Sequence, residues 1–227
     1  MRPRRLIAGG AAATLLAGVG YGALSWYRYG RVAPGGDRDE LLDRFIPDCE
    51  VRERHEARVA APAAVTFAAA RALELHRSSL IRGIFRAREL LMGAGAAQGQ
   101  AQQRPFLEEV LSLGWRILAE VPDREIVLGA VTQPWRADVV FRGIPPENFA
   151  AFDEAGYVKI AWTLGAVPLG PHASLFRTET RAIATDPESR ARFRRYWTVV
   201  SPGIRLIRRE TLRLVRREAE ARVTGPA

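Results

Sequence analysis

The chain has 227 residues, of which 48% are hydrophobic and 26% are charged, a composition that is typical of a folded domain and excludes a wholly disordered chain. Cys49 is the single cysteine, which excludes an intramolecular disulfide and a zinc site made of several cysteines. The net charge is +9, but Lys159 is the single lysine among 34 basic residues. The positive charge therefore reflects a preference for arginine and does not by itself indicate nucleic-acid binding.

The first 31 residues have the pattern of a membrane anchor. Three arginines within the first five residues precede an uncharged stretch of 21 residues, Leu6–Trp26. At about 1.5 Å per residue, a helix of this length spans about 30 Å, which is the thickness of a bilayer core. Aromatic residues and arginines follow the stretch, as they do at membrane interfaces. We interpret residues 1–31 as an uncleaved single-pass anchor, with a cleaved signal peptide as the alternative.

The same segment also leads to expectations about dimerisation and about the orientation of the anchor in the membrane. Gly18 and Gly22 are spaced like the small residues that let two membrane helices pack closely. A weak dimer through the anchor helix is one interpretation, and a segment that is simply rich in glycine and alanine is the other. Arginines lie on both sides of the stretch and slightly favour a cytoplasmic amino terminus. We therefore expect the remaining domain to lie on the outer side of the membrane.

The region after the anchor begins with a linker and a strand. Residues 32–48 include a Pro-Gly-Gly sequence and form the predicted linker. Polar and apolar residues alternate over residues 50–59, which predicts a strand with Glu53 and His55 on the same face as Val51. The predicted helices that follow are Ala63–Leu75, Leu80–Met92 and Phe106–Leu113, with a polar loop at residues 93–104.

The second half of the chain is rich in strand patterns. Pro122 and Asp123 form a turn signal between two of these strands and predict a hairpin. In the last strand, Phe176, Thr178 and Thr180 alternate with three charged residues, which places the two sets on opposite faces. The predicted strands cover residues 115–121, 126–131, 138–141, 158–166 and 173–184.

The C-terminal region is predicted to be helical. Asp186 followed by proline starts one helix, Ser189–Val199, and Ser201 followed by proline starts a second helix that reaches Arg222. The second helix has an apolar stripe, which needs a surface to pack on, and an opposite face with Arg205 and further arginines. An antiparallel sheet with one apolar face supplies such a surface. We therefore predict an α+β fold in which a curved antiparallel sheet packs against a long C-terminal helix.

Local motifs add a family resemblance to this order of elements. They are Gly114-Trp115, Pro122-Asp-Arg-Glu125 at the hairpin turn, Arg177-Thr-Glu-Thr-Arg181, Phe193-Arg-Arg-Tyr-Trp197 and Ser201-Pro202. With these motifs, residues 49–222 resemble the SRPBCC or START-like superfamily, which has the helix-grip fold and is related to polyketide cyclase/dehydrase and coenzyme-Q-binding START domains. The resemblance is to uncharacterised bacterial members that have a preceding hydrophobic segment.

The resemblance implies a domain organisation and a location. An N-terminal transmembrane helix in residues 1–31 and the linker precede a helix-grip domain with two short helices in residues 49–222, and residues 223–227 form a tail. The implied location is the bacterial inner membrane, and the distribution of arginines described above favours the periplasmic side for the domain.

The resemblance also implies a cavity between the sheet and the long helix that takes up a hydrophobic small molecule or a lipid. The predicted apolar lining consists of Trp115, Ile160, Trp162, Phe176, Ile207 and Leu214. The predicted polar groups facing it are Glu53, His55, Thr178 and Thr180.

Each of these predicted site residues also has a simpler interpretation. The aromatic residues are often plain core. Glu53 and His55 would be exposed to water if they lay at the open end of their strand. Threonine is a normal strand former and needs no functional role.

The sequence contains no motif for a catalytic nucleophile, a nucleotide loop or a metal site, and we expect no cofactor and no metal. Glu53 and His55 lie about 6–7 Å apart along one strand face, where a general acid and base could act together. The main prediction is a membrane-tethered module that binds or carries a hydrophobic molecule. A cyclase or dehydratase-type enzyme using the same cavity is one alternative, and a structural or interaction protein with a filled core is the other.

The C-terminal region is rich in arginine, with 11 arginines in Arg190–Arg222. One interpretation is contact with anionic lipid head groups, which suits a tethered domain. The other is a solvated helix face in a protein that prefers arginine, and glutamates spaced three or four residues from arginines support it. We expect no nucleic-acid partner, because the basic residues lack interleaved aromatic residues.

Overall fold

An antiparallel β-sheet organises the part of the chain that this computed structural model describes, which is residues 20–31, 39–73, 78, 83 and 105–224. The strands are β1 (Val51–Val59), β2 (Arg116–Val121), β3 (Glu125–Thr132), β4 (Phe141–Arg142), β5 (Val158–Gly170) and β6 (Ala173–Ala184). The helices are α1 (residues 20–28), α2 (Glu40–Asp43), α3 (Ala63–Arg71), α4 (Phe106–Ser112), α5 (Pro146–Phe149) and α6 (Pro187–Thr224). The strand order is β1-β6-β5-β3-β2, and β4 pairs with β3.

The long helix α6 packs across one face of the sheet, the inner face, which carries Glu53, Trp162 and Thr180. α6 contacts β1, β5 and β6, and α3 packs beside it on the same face. This arrangement confirms the predicted helix-grip architecture of a curved antiparallel sheet and a long C-terminal helix. The predicted hairpin of β2 and β3 is also confirmed, as are the predicted bounds of β6.

The terminal region is one helix, so the prediction of two helices separated at Ser201 and Pro202 is wrong. α6 has 38 residues, and Pro202 lies in its interior. Ser201 does not cap a helix, because it lies in the interior of α6. Its buried hydroxyl lies 3.0 Å from the Tyr21 hydroxyl and 3.3 Å from the Ser25 hydroxyl. Pro202 removes one backbone hydrogen bond, but the packing of both halves of α6 against the rest of the domain keeps the helix continuous.

Smaller predictions also differ from the structure. The strand predicted at residues 138–141 is reduced to β4, because the chain turns and bends over residues 134–138. β5 continues beyond its predicted end to Gly170, and α3 ends at Arg71. The predicted helix Leu80–Met92, apart from Gly83, and the loop at residues 93–104 lie outside the described residues.

The sheet is covered on both faces. On the inner face, Trp162 and Phe176 pack with side chains from α3, α4 and the second half of α6. On the opposite, outer face, Leu42 and Phe149 pack against Val127 of β3. The outer face is therefore a second apolar core, which the sequence pattern did not indicate.

Residues 39–48, which were predicted to be part of a linker, are packed against the outer face. Leu42 is fully buried and Ile46 is almost fully buried. Arg181 of β6 donates to the carboxylate of Asp43 at 2.5 Å and to the backbone carbonyl of Ile46 at 2.8 Å. The folded domain therefore begins before the predicted boundary at residue 49.

The helix α1 lies against the first half of α6. Tyr29, which follows α1, packs edge-on against Phe193 with ring centroids 6.0 Å apart, and Arg194 donates to the carbonyl of Trp26 at 2.7 Å. The end of the predicted anchor, residues 20–31, thus contacts the domain, and residues 1–19 lie outside the described part. Among the described helices, none is both long and apolar enough to cross a membrane.

A substitution at Gly129 of β3 would show how closely the outer face is packed. A Cβ atom at this position would lie 2.9 Å from Cε2 of Phe149 and would also overlap with Leu118. We expect Gly129→Ala to lower the free energy of unfolding by about 1–3 kcal/mol, because overpacking a core forces its neighbours to move. Gly22→Ala is the control, since its Cβ would meet only Thr198 Cγ2, at 3.7 Å. Thermal unfolding followed by circular dichroism measures both, and equal stability of the two variants would contradict this packing.

Candidate functional site

The inner face brings together the polar residues that the sequence singled out. In the register of the sheet, His55 on β1 lies opposite Thr178 on β6, and Glu53 lies opposite Thr180. Thr180 in turn lies opposite Trp162 on β5. Because residues directly opposite each other in a sheet point to the same face, these five side chains form one patch beneath α6.

Two arginines of α6 reach down to this patch. Arg205 donates to Oε1 of Glu53 from Nε at 2.9 Å and from Nη2 at 2.5 Å. Arg208 donates to Oγ1 of Thr178 at 3.2 Å and to Oγ1 of Thr180 at 2.6 Å. We call Glu53, Thr178, Thr180, Arg205 and Arg208 the polar cluster. It divides the inner face into two apolar regions.

Arg208 is the unusual member of the polar cluster. Its guanidinium carbon lies 5.3 Å from the centroid of the Trp162 ring. Within the described residues it makes no ion pair with a carboxylate. Burial lowers the pKa of Arg208 to about 10, and the charge of the nearby Glu53 only partly opposes this. The side chain therefore remains protonated at neutral pH, although its charge lies in a poorly hydrated place.

The sequence analysis missed Arg208 and placed Arg205 on the face of the helix away from the sheet, which is wrong. Ile204, Arg208, Thr211 and Val215 are spaced by three or four residues and so lie on one stripe of α6. An arginine within an otherwise apolar stripe was the signal available in the sequence. Glu53 lies on β1, which is an edge strand of the sheet. The long side chain of Arg205 can therefore extend along this edge to reach Glu53.

The predicted apolar residues divide between the two regions beside the polar cluster. Trp162 and Phe176 are 4% and 0% exposed, and Trp115, Ile207 and Leu214 pack against the same core. The ring centroids of Trp115 and Trp162 are 6.0 Å apart, and those of Phe106 and Trp162 are 5.5 Å apart. These distances describe closely packed core, which was one of the two interpretations of the aromatic residues.

Ile160 lies in the other apolar region. There it packs with Val51 and Ala182 of the sheet and with Phe193 and Trp197 of α6. Ile160 therefore packs in a different apolar cluster from the other five predicted lining residues.

Two open clefts lie along the line where the edge strand β1 meets α6. The seam cleft has a volume of about 370 Å³ and lies between the second half of β1, with His55 and Ala57, and Arg209 and Leu212 of α6. A second cleft of about 380 Å³ begins on the other side of Glu53 and extends to α1. Of the predicted site residues, His55 lines the seam cleft and Glu53 lines the second cleft.

Glu53 and His55 have different electrostatic settings. Burial opposes ionisation of Glu53, but the nearby His55 and the hydrogen bonds from Arg205 outweigh it and lower the pKa of this carboxyl. The closest approach of His55 Nε2 to Glu53 Oε2 is 3.7 Å, and this buried nitrogen has no hydrogen-bond partner among the described residues. Glu53 is thus an ionised group engaged by arginine, while His55 is available at the edge of the seam cleft.

The described residues contain no group of three or more histidine, cysteine, aspartate or glutamate side chains arranged to hold a metal ion. The polar cluster instead offers guanidinium and hydroxyl groups. Such groups suit the recognition of an acidic group by hydrogen bonds assisted by charge.

No family model matches the chain, and no curated protein matches it significantly. Among solved structures, it is similar to Zhui aromatase/cyclase from Streptomyces sp. R1128, with 13% identity over 77% of this chain and 96% of that chain and a TM-score of 0.30. For norcoclaurine synthase from Thalictrum flavum the identity is 13% over 86% of this chain and 98% of that chain, with a TM-score of 0.36. For a START superfamily protein from Mycobacterium smegmatis the identity is 14% over 76% of this chain and 96% of that chain, with a TM-score of 0.26. Likenesses of this size assign neither an activity nor a ligand to this chain.

The ion pair of Glu53 and Arg205 makes stability depend on pH. Because the pKa of Glu53 is lowered in the folded state, its stabilising effect is present above the unfolded pKa and is lost as the pH falls through the folded pKa. We expect Glu53→Gln to cost about 1 kcal/mol at pH 7 and the difference from wild type to shrink below about pH 4.

Thermal melts between about pH 3 and pH 7 measure this dependence. Glu56→Gln is the matched control on the same strand, because Glu56 is exposed and its partner Arg54 lies on the outer face. A constant difference between Glu53→Gln and wild type across this range would contradict the proposed role of the ion pair.

Proposed function

We propose that this domain binds a hydrophobic small molecule or lipid that carries an acidic group, and that Arg208 holds this group. The observation that supports the proposal is a guanidinium group on the inner face that has hydroxyl and aromatic neighbours but no carboxylate partner among the described residues. Arg208 is half-buried, and a charge partly removed from water without an opposite charge beside it is costly. A ligand carboxylate or phosphate would supply the missing charge.

The seam cleft is the proposed place of entry. Its lining includes Ala57 and Leu212, which would contact the apolar part of the ligand, and three arginines, Arg209, Arg213 and Arg216. His55 lines the cleft and lies opposite Thr178 in the sheet, and Thr178 accepts from Arg208. The cleft therefore borders the polar cluster, and its volume of about 370 Å³ lies within the range of small-molecule sites.

Oleate and its methyl ester are suitable probes, since they share an apolar chain and differ in the acidic group. We expect oleate to bind at least about tenfold more tightly than the ester, and Arg208→Met to remove that preference. The variant should be no less stable than wild type, because methionine replaces a charge that is costly to bury. Titration calorimetry measures binding, and a thermal melt measures stability.

Arg217→Met is the control for this experiment, because Arg217 is exposed on α6 and does not line the seam cleft. Equal affinity for oleate and its ester, or an unchanged preference in Arg208→Met, would contradict the proposal. Native mass spectrometry of the protein in mild detergent would then identify any ligand that co-purifies with it.

A second candidate function is catalysis of the cyclase or dehydratase type, and one observation favours it. The buried Nε2 atom of His55 lacks a hydrogen-bond partner among the described residues while its side chain lines the seam cleft, so His55 could act as a general base toward a bound molecule. Replacement of His55 by Gln distinguishes the two functions. If the domain is a carrier, wild type and His55→Gln bind oleate with equal affinity and neither converts a bound molecule. If it is an enzyme, His55→Gln loses the catalytic activity of the wild type.

We further propose that the apolar N-terminal stretch tethers this domain to a membrane, in keeping with the expected position on the periplasmic side of a bacterial inner membrane. The stretch begins at Leu6, and its last residues, 20–26, belong to α1. On α1, Leu24, Trp26 and Tyr27 are 45%, 42% and 60% exposed. Exposed aromatic and apolar side chains of this kind are favoured at the membrane interface.

Membrane fractionation tests the tether. We expect the full chain to stay with membranes during alkaline carbonate extraction and to be released by detergent, because an apolar helix in the bilayer is not removed by changes of charge. A chain that begins at Gly20 should be recovered in the soluble fraction. Release of the full chain by carbonate alone would contradict a tether of this kind.

A further inference from the structure

The second cleft has a chemical character different from that of the seam cleft. One wall is α1 and the turn that follows it, another is the first half of β1, and α6 closes it with Trp197 and Arg205. Its volume is about 380 Å³. Its lining includes two glutamates, Glu50 and Glu53, and five arginines, which are Arg28, Arg31, Arg52, Arg54 and Arg205. We call it the arginine cleft.

The two glutamates of the arginine cleft already have partners. The hydroxyl of Tyr29 donates to Oε2 of Glu50 at 2.5 Å, and Arg190 lies 2.9 Å from its Oε1. Glu53 accepts both hydrogen bonds from Arg205. These carboxylates are therefore neutralised within the protein and do not compensate the remaining arginines.

Two of the remaining arginines are also engaged. Arg52 pairs with Glu179 at 2.8 Å, and Arg54 pairs with Glu56 at 2.6 Å. Arg28 and Arg31 are exposed and make no ion pair with a carboxylate among the described residues. The cleft therefore has two guanidinium groups whose charge no carboxylate in the described part of the chain compensates.

The wall that carries these two arginines is held in place. The guanidinium carbon of Arg31 lies 3.8 Å from the centroid of the Tyr27 ring. Gly30 turns the chain with a φ of 72°, and its N–H donates to the carbonyl of Glu50 at 2.8 Å. The backbone that carries the two arginines is thus held next to β1, and the side chain of Arg31 also packs on Tyr27.

We propose that the arginine cleft binds a phosphate group through Arg28 and Arg31. Guanidinium groups pair with phosphate by hydrogen bonds in which both partners are charged. The phosphate belongs either to an anionic lipid head group or to a soluble phosphate compound, and both offer the same chemistry to the cleft. This site is separate from the proposed site at Arg208, and its occupant is a different ligand.

The first experiment uses the full chain in an uncharged detergent and measures the binding of inorganic phosphate and of glycerophosphoglycerol by titration calorimetry. We expect Arg28→Gln with Arg31→Gln to weaken both by about tenfold for each arginine removed. The matched control is Arg195→Gln with Arg217→Gln, which removes the same charge from exposed positions of α6 that do not line the cleft. It should change either affinity by less than about twofold, because exposed charges outside the site are screened.

The second experiment identifies the source of the phosphate. Native mass spectrometry compares retention of palmitoyl-oleoyl phosphatidylglycerol with that of the corresponding phosphatidylcholine in the wild type and both double variants. Retention of phosphatidylglycerol that depends on Arg28 and Arg31 supports a lipid head group. Binding of the soluble phosphates without such retention supports a soluble ligand. Absence of binding to every probe, or an equal loss of binding in the control variant, overturns the proposal.

Discussion

The packing of α6 across the inner face of the sheet is the constraint on which the rest of this structure depends. A helix of 38 residues is about 57 Å long, so it crosses the sheet and extends to the N-terminal segment. Its first half packs Phe193 and Trp197 against one end of the inner face. Its second half packs Val215 and Ala219 against the other end. The polar cluster lies between these two contacts, where α6 passes over the middle of β1 and β6.

The outer face is held by ion pairs as well as by apolar packing. Glu179 and Arg181 are 2% and 3% exposed, and Arg181 donates to both Glu179 and Asp43. These bonds join β6 to α2. A buried ion pair is costly to form but also costly to break when only one partner is removed. The network therefore specifies where α2 lies on the sheet, which explains why residues 39–48 belong to the domain.

A second group of charges on the outer face, made of Arg177, Glu125 and Asp39, has more carboxylates than arginines. Arg177 donates to both carboxylate oxygens of Glu125, at 2.8 Å and 3.0 Å, and lies 3.4 Å from Asp39. Burial and the Asp39 carboxylate still raise the pKa of Glu125, even though Arg177 opposes them. One arginine thus serves two carboxylates. On the inner face, Arg208 has the opposite imbalance, since its positive charge has no carboxylate partner among the described residues. This contrast is why we place ligand binding on the inner face.

The sequence by itself determined most of the strands, the hairpin and the faces of the strand residues, because these follow from local alternation and from turn residues. Glu53 and His55 were correctly placed on one face for that reason, as were Thr178 and Thr180. The tertiary structure alone decided that α6 is continuous through Pro202, that Arg205 reaches Glu53 and that residues 20–31 lie on α6. Each of these depends on contacts between residues more than about one hundred positions apart, and the spacing of residues along a chain does not specify which distant surfaces meet. The accumulation of uncompensated arginine charge is also a tertiary property, since it depends on which carboxylates the fold brings within reach.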